Sequence, residues 1–173
     1  SVVRGGDSHF GAIKTDGTYW SWGRSYKGAL GDGTEASKSS PVQIPGTTWS
    51  KNAVIGYGQA AVKTDGTLWT WGRNNVGQLG QNSRDTDAHA SPTQVPGTTW
   101  DNIYSVRDKG YIATKTDGTL WTWGEDAWGY LANNKNPGET RYSSPVQIPG
   151  TTWTMDNNGS MRVFSSAVMF KEV

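Results

Sequence analysis

One phrase recurs three times along the chain, and it limits the fold more than any other feature. Lys14-Thr15-Asp16-Gly17 returns as Lys63-Thr64-Asp65-Gly66 and Lys115-Thr116-Asp117-Gly118, at steps of 49 and 52 residues. Trp20-Ser21-Trp22-Gly23 returns at the same steps as Trp69-Thr70-Trp71-Gly72 and Trp121-Thr122-Trp123-Gly124. Gly28-Ala29-Leu30-Gly31 returns as Gly77-Gln78-Leu79-Gly80 and then degenerates to Gly129-Tyr130-Leu131-Ala132. Pro45-Gly46-Thr47-Thr48-Trp49 closes each round, again ending at Trp100 and Trp153. A period of about fifty residues is that of a stacked repeat architecture, in which each unit buries its apolar face only against its neighbours.

Each round reads as strands. Asp-Gly flanked by Thr is a hairpin signal, and a two-residue type I′ loop is its commonest form. That loop would set Val62 opposite Trp69 and Ala60 opposite Trp71. The corresponding pairs are Ile13 with Trp20 and Gly11 with Trp22, then Thr114 with Trp121 and Ile112 with Trp123. The two indoles of each pair share one face, because side chains alternate along a strand. Ala53–Ile55 and Thr93–Val95 supply outer strands, which makes about four short strands per repeat. The fold class expected is all-β, with propeller blades of about four antiparallel strands: three full repeats and a partial fourth. The boundaries are 1–49, 50–100 and 101–153, with 154–173 as the partial repeat or an end cap. Repeat lengths differ between the Gly-x-Leu-Gly and Pro-x-Gln-Val/Ile-Pro motifs, so that segment belongs on the surface.

The composition fits this reading. Leu, Ile, Val and Phe supply only 26 of 173 residues, while Trp numbers 10, nine of them inside the repeated motifs, and Gly 23. Trp therefore replaces aliphatic side chains as core material. Cys is absent, which removes disulfides, thiolate metal sites and Cys nucleophiles together. Lys plus Arg is 16 against 15 for Asp plus Glu, so no charge excess suits a polyphosphate partner.

The combined wording resembles the regulator of chromosome condensation repeat, from about Val2 to Trp153. That resemblance implies a β-propeller, commonly seven-bladed, with four-stranded blades. Three blades and a fraction cannot close a ring, so the expectation is a piece of a longer propeller. The alternatives are several copies closing together, or other chains covering the ends. Met161–Phe170 resembles the opening of a fourth repeat. The version Lys-Thr-Asp-Gly-Thr-Leu-Trp-Thr-Trp-Gly is also similar to repeats of bacterial surface proteins and of marine bacteriophage virion proteins. It thereby implies a virion surface component: a decoration, fibre or tail-associated protein. The alternative is a ligand- or protein-binding propeller of a secreted or cell-surface bacterial protein, such as an inhibitor-like module. A third reading the resemblance implies is a nucleotide-exchange factor for a small GTPase, as in the family's chromatin member, while the net charge of +1 argues against nucleosome binding.

The repeated Lys and Asp are read as hairpin residues, with Asp chosen for turn geometry and Lys solvating the strand. The paired Trp are read as core rather than as stacking platforms. Asp85 and His89 lie close in sequence as possible metal ligands, but no further ligand recurs beside them. No nucleophile elbow and no phosphate loop occurs. The expectation is a non-enzymatic structural or binding module with no catalytic residues, no metal and no cofactor. Its candidate binding residues lie where the repeats differ: Tyr26, Lys27, Trp128 and Tyr130. The partners expected are proteins: further copies, capsid or tail proteins, or a host receptor. No nucleic acid and no membrane span is expected.

Overall fold

The computed structural model describes residues 2–55, 57–107, 109–126, 129, 131–132, 140–150 and 153. They form three four-stranded antiparallel sheets in sequence order. The first holds β1 (Val2–Gly5), β2 (His9–Ile13), β3 (Tyr19–Gly23) and β4 (Lys38–Ile44). The second holds β5 (Trp49–Ile55), β6 (Gly58–Lys63), β7 (Leu68–Gly72) and β8 (His89–Val95). The third holds β9 (Trp100–Val106), β10 (Gly110–Lys115), β11 (Leu120–Asp126) and β12 (Thr140–Ile148). The segments Ala53–Ile55 and Thr93–Val95 end β5 and β8, the two edges of the second sheet. Met161–Phe170 lies outside the described residues.

The hairpin register corrects the one expected from the sequence. Val62 faces Leu68, Ala61 faces Trp69 and Gln59 faces Trp71. Likewise Ala12 faces Trp20 and Phe10 faces Trp22, while Ala113 faces Trp121 and Tyr111 faces Trp123. The loop has three residues rather than two. Gly66 N–H donates to the Lys63 carbonyl at 3.0 Å, and Lys63 N–H to the Thr67 carbonyl at 2.9 Å. This is a type I turn followed by one left-handed residue, Gly66 at φ 78°. Asp65 selects that turn, because its Oδ1 accepts both the amide and the hydroxyl of Thr67, at 2.9 and 2.7 Å. The same bonds recur at Asp16 with Thr18 and at Asp117 with Thr119.

These Thr18 bonds, hydroxyl first and then amide, hold the Asp16 carboxyl down at about 2. An unfolded Asp titrates near 3.9. The stabilisation is therefore complete above about pH 4 and is lost as pH falls towards 2. Melting temperature is expected to drop through that window, and Asp16→Ala to flatten the drop. Circular dichroism melts of both chains across the window check it, and equal slopes would count against the assignment.

The three sheets stack face to face as blades. β5 packs against β1 and β2 on one side and against β9 on the other, so the first strand of each blade lies innermost. Two apolar layers fill the gaps. Between the first and second blades lie Ile13, Tyr19, Ile44, Trp49, Ala61 and Trp71. Between the second and third lie Val62, Leu68, Val95, Trp100, Ile103, Tyr111 and Trp123. Trp71 meets Tyr19 edge-on at 5.4 Å and Trp49 at 6.1 Å; Trp123 meets Trp100 at 6.0 Å. The Trp pairs are thus core, but core of the joints between blades. Each Trp-x-Trp face turns toward the preceding blade. On the first blade that face is partly open: Phe10 is 43% exposed and stacks on Trp22 at 5.6 Å.

The repeated Lys also departs from expectation. Lys63 Nζ lies 4.7 Å from the Trp49 ring and 4.4 Å from the Trp69 ring. Lys115 repeats this at 4.6 Å from Trp100 and 4.4 Å from Trp121. Indole faces attract cations through their quadrupole, so Lys closes the top of each aromatic layer rather than merely solvating a strand.

Candidate functional site

The blades have two unlike ends. At one end sit the Lys-Thr-Asp-Gly tips and the Pro-Gly-Thr-Thr-Trp linkers that join blade to blade. Trp49 N–H donates to the Gly17 carbonyl at 2.9 Å, Trp100 to Gly66 and Trp153 to Gly118, both at 3.0 Å. Thr64 N–H and Thr116 N–H donate in turn to the carbonyls of Thr48 and Thr99, both at 2.9 Å. Here the repeats are copies of one another, and their backbone groups are occupied in making the joints. Shallow grooves at this end are lined by those same joint residues.

The other end carries the turns β1–β2, β5–β6 and β9–β10 and the long loops β3–β4, β7–β8 and β11–β12. Here the repeats differ. The residue after Trp-x-Trp-Gly is Arg24 in the first blade, Arg73 in the second and Glu125 in the third. Its N–H bonds back to the facing turn in every case, to the carbonyls of Ser8, Tyr57 and Lys109. These positions are therefore equivalent in backbone and different in chemistry.

Of the residues expected to bind, Tyr26 stands in a short 3-10 turn at this end and is 39% exposed. Lys27 follows it in a left-handed backbone, φ 56°, and is half-buried. Trp128 and Tyr130 lie outside the described residues. The structure adds three residues to Tyr26. The Tyr57 ring meets it edge-on, centroids 5.1 Å apart. The Arg24 guanidinium lies 5.6 Å from the Tyr26 centroid. The Arg73 guanidinium lies 6.0 Å from Tyr26 and 5.6 Å from Tyr57. Three separate loops of two blades thus deliver two aromatic rings and two permanent cations to one spot. Among the described residues, neither guanidinium has a carboxylate within ion-pair distance. The one signal readable in the sequence is the Arg, Arg, Glu variation after an invariant tetrad. Convergence with Tyr57 is not readable, because it arises across a blade joint.

Asp85 and His89 do meet. His89 Nε2 lies 2.8 Å from Asp85 Oδ1, and Asn74 donates to Asp85 Oδ2 at 3.1 Å. Partial burial pushes the Asp85 carboxyl up, but the His89 and Asn74 bonds outweigh it and hold it below the usual range. Asn74 also donates to the Ser83 carbonyl, so the group staples the β7–β8 loop to its own base. Among the described residues no three metal-ligating side chains gather. No helix of the described residues is long and apolar enough to cross a membrane.

His9 is a further titratable group near this end. It is buried between the first blade and Gly58 of the second, where the later repeats have Gly58 and Gly110, and its Nε2 has no partner. Burial pushes its pKa below 6.5, against the opposing pull of the Gly58 backbone bond and the Asp7 charge. Above about pH 7.5 folded and unfolded chains both hold it neutral. Below that, the unfolded chain takes up a proton that the folded chain resists, so stability falls by up to about 1.4 kcal/mol per pH unit. His9→Gln is expected to abolish that slope in urea titrations between pH 6.5 and 5, and an unchanged slope would assign it to other groups.

Comparison with known proteins agrees with this architecture. The family model described as the Regulator of chromosome condensation (RCC1) repeat matches residues 16–60 and 65–106, half of the chain. No curated protein matches it. Among solved structures, human WBSCR16 superposes with a TM-score of 0.72 at 23% identity, over 86% of this chain and 37% of that one. Prp20p of Saccharomyces cerevisiae, described with its binding to Gsp1p and histones, gives 0.68 at 19% identity, over 87% of this chain and 38% of that one. Yeast RCC1 (Prp20) bound to Kap60 gives 0.72 at 17% identity, over 89% of this chain and 38% of that one. The chain therefore spans less than two-fifths of the length of each of these structures. At these identities the likeness is one of fold.

Proposed function

This chain belongs to the regulator of chromosome condensation (RCC1) repeat family, and on that footing we propose that it is a non-catalytic protein-binding module whose binding surface is the loop end of the blades. One observation carries the reading. Identical residues at the hairpin end make the blade joints, whereas the repeats diverge at the loop end, where the exposed Tyr26, the half-buried Tyr57 and two guanidiniums without an ion pair among the described residues collect. A rigid frame with variable loops at one end is the general design of a recognition scaffold. The solved neighbours support protein partners by analogy of fold, since Prp20p is described as binding Gsp1p and histones. A photo-crosslinking residue at position 26 is expected to capture a protein partner that the same probe at position 16, on a hairpin tip, does not. Capture from position 16 alone would reject the loop end.

The setting proposed is a virion surface, and the wording of the repeats is its sole support. Mass spectrometry of purified virions tests it separately. Absence of the chain from such particles rejects the setting and leaves the binding reading standing.

A further inference from the structure

The third blade contains an internal answer to what the Arg24 and Arg73 positions lack. Its equivalent residue is Glu125, and the carboxylate of Glu125 is enclosed by cations. Lys109 Nζ donates to Oε2 at 2.6 Å, and the Arg141 guanidinium donates to Oε1 at 3.0 and 3.2 Å. Partial burial pushes the Glu125 carboxyl up, but the Lys109 and Arg141 bonds outweigh it, and the group is held below the usual range. This corner of the blade is thus a place where cations from turn and strand close round a carboxylate. In the first two blades the sign of the corner is reversed: the position of Glu125 carries Arg24 or Arg73, and the facing turn offers Ser8 or Tyr57 in place of Lys109. Arg24 and Arg73 converge on the Tyr26–Tyr57 pair, and among the described residues neither has a carboxylate within ion-pair distance.

Two like charges held near one ring repel, and among the described residues no carboxylate lies within ion-pair distance of either to offset it. The aromatic faces hold the guanidiniums in place while leaving their N–H edges to be matched. A guanidinium edge matches a carboxylate with two parallel hydrogen bonds. Beside them Tyr26, 39% exposed, offers apolar surface and a hydroxyl. We propose that the Arg24–Tyr26–Tyr57–Arg73 cluster is a docking site for an acidic segment of a partner protein, with a Glu or Asp carboxylate of that partner pairing each Arg as Arg141 pairs Glu125 within the third blade. The site is built for carboxylates rather than a nucleic acid strand. It offers two cations at one point, not a track of them, on a chain of net charge +1.

The inference rests on the protein-binding reading and names its partner chemistry, so its test separates the two. The full chain is titrated by fluorescence anisotropy against labelled peptides of equal length and graded charge, from Glu/Asp-rich with interspersed Leu to Lys-rich. A single-stranded oligonucleotide of equal length is included. Binding is expected to track peptide acidity. Arg24→Gln and Arg73→Gln are each expected to weaken it about tenfold, as removal of a charge-assisted bidentate contact does. Lys14→Gln, the same charge loss at the opposite end, is expected to leave it within about twofold. Circular dichroism melts confirm that the variants fold. No binding of acidic peptides, binding unaffected by either Arg variant, or tighter binding of the oligonucleotide would each overturn the assignment. If acidic peptides fail while the crosslink from position 26 still captures a protein, the acidic chemistry falls and the binding reading stands. If both fail, both fall.

Discussion

Trp71→Ala is expected to cost about 3–5 kcal/mol of folding stability, and Trp22→Ala at the equivalent place in the first blade only about 1 kcal/mol. The two residues occupy the same position of the same tetrad, so propensity and strand geometry cannot distinguish them. Their surroundings can. Trp71 is fully buried between blades, with Tyr19 and Trp49 edge-on against it. Trp22 is only partly buried and stacks on a Phe10 that is itself 43% exposed. Large-to-small cost depends on the atoms lost from a closed layer and on how little the cavity can relax. Urea denaturation of the two variants measures the difference directly. Equal losses would mean that the face of the first blade is covered in solution, by another copy or by a partner.

Gly77→Ala is the second large effect, expected at about 2–5 kcal/mol. Gly77 has φ 82°, and a Cβ there would lie 2.7 Å from Ser143 Cα and 2.9 Å from the Tyr142 carbonyl oxygen. Both contacts are backbone of the next blade's outer strand and cannot swing aside. Left-handed strain contributes about 1–2 kcal/mol, and the forced separation of packed elements about 1–3. Gly33 isolates the two terms. It has the same φ, 82°, but its Cβ would meet only Ser91 Oγ, at 3.9 Å. Gly33→Ala is therefore expected to cost only the strain, about 1 kcal/mol. Thermal melts of the pair decide it, and similar shifts would show that the joint between second and third blades yields at Gly77.

The blade count, the strand count and the segments of the two edge strands were legible in the sequence because the repeat spells each round three times, although Ala53–Ile55 lies on the innermost strand rather than an outer one. Register was not. Asp-Gly points to a two-residue loop, but Thr67 follows it and supplies both donors to Asp65, which favours the longer turn and moves every partner by one residue. The Lys sandwich was also hidden. Lys63 lies between Trp49 and Trp69, one of them fourteen positions away on the paired strand β5. The candidate site was half legible. Tyr26 and Lys27 stand out as aromatic and basic departures from the repeat, and Tyr26 is at the centre of the cluster. Arg24, Arg73 and Tyr57 join it only because a blade joint brings three loops together, a contact with no trace in local spacing. Trp128 and Tyr130, chosen by the same departure from pattern, lie outside the described residues.

The joint itself has a consequence for how such a chain can change over generations. Each linker lies between two successive hairpin tips. Trp49 N–H is given to Gly17 of the tip before it, and the Thr48 carbonyl receives Thr64 N–H of the tip after it. Every donor and acceptor in that joint belongs to a residue of the repeated phrase. A gene duplication or deletion spanning one whole period therefore brings or removes a complete coupling, with no new contact to be invented. Copy number can drift by whole units while the loop ends diverge freely, and a scaffold of this kind acquires new specificities by recombination as readily as by point mutation.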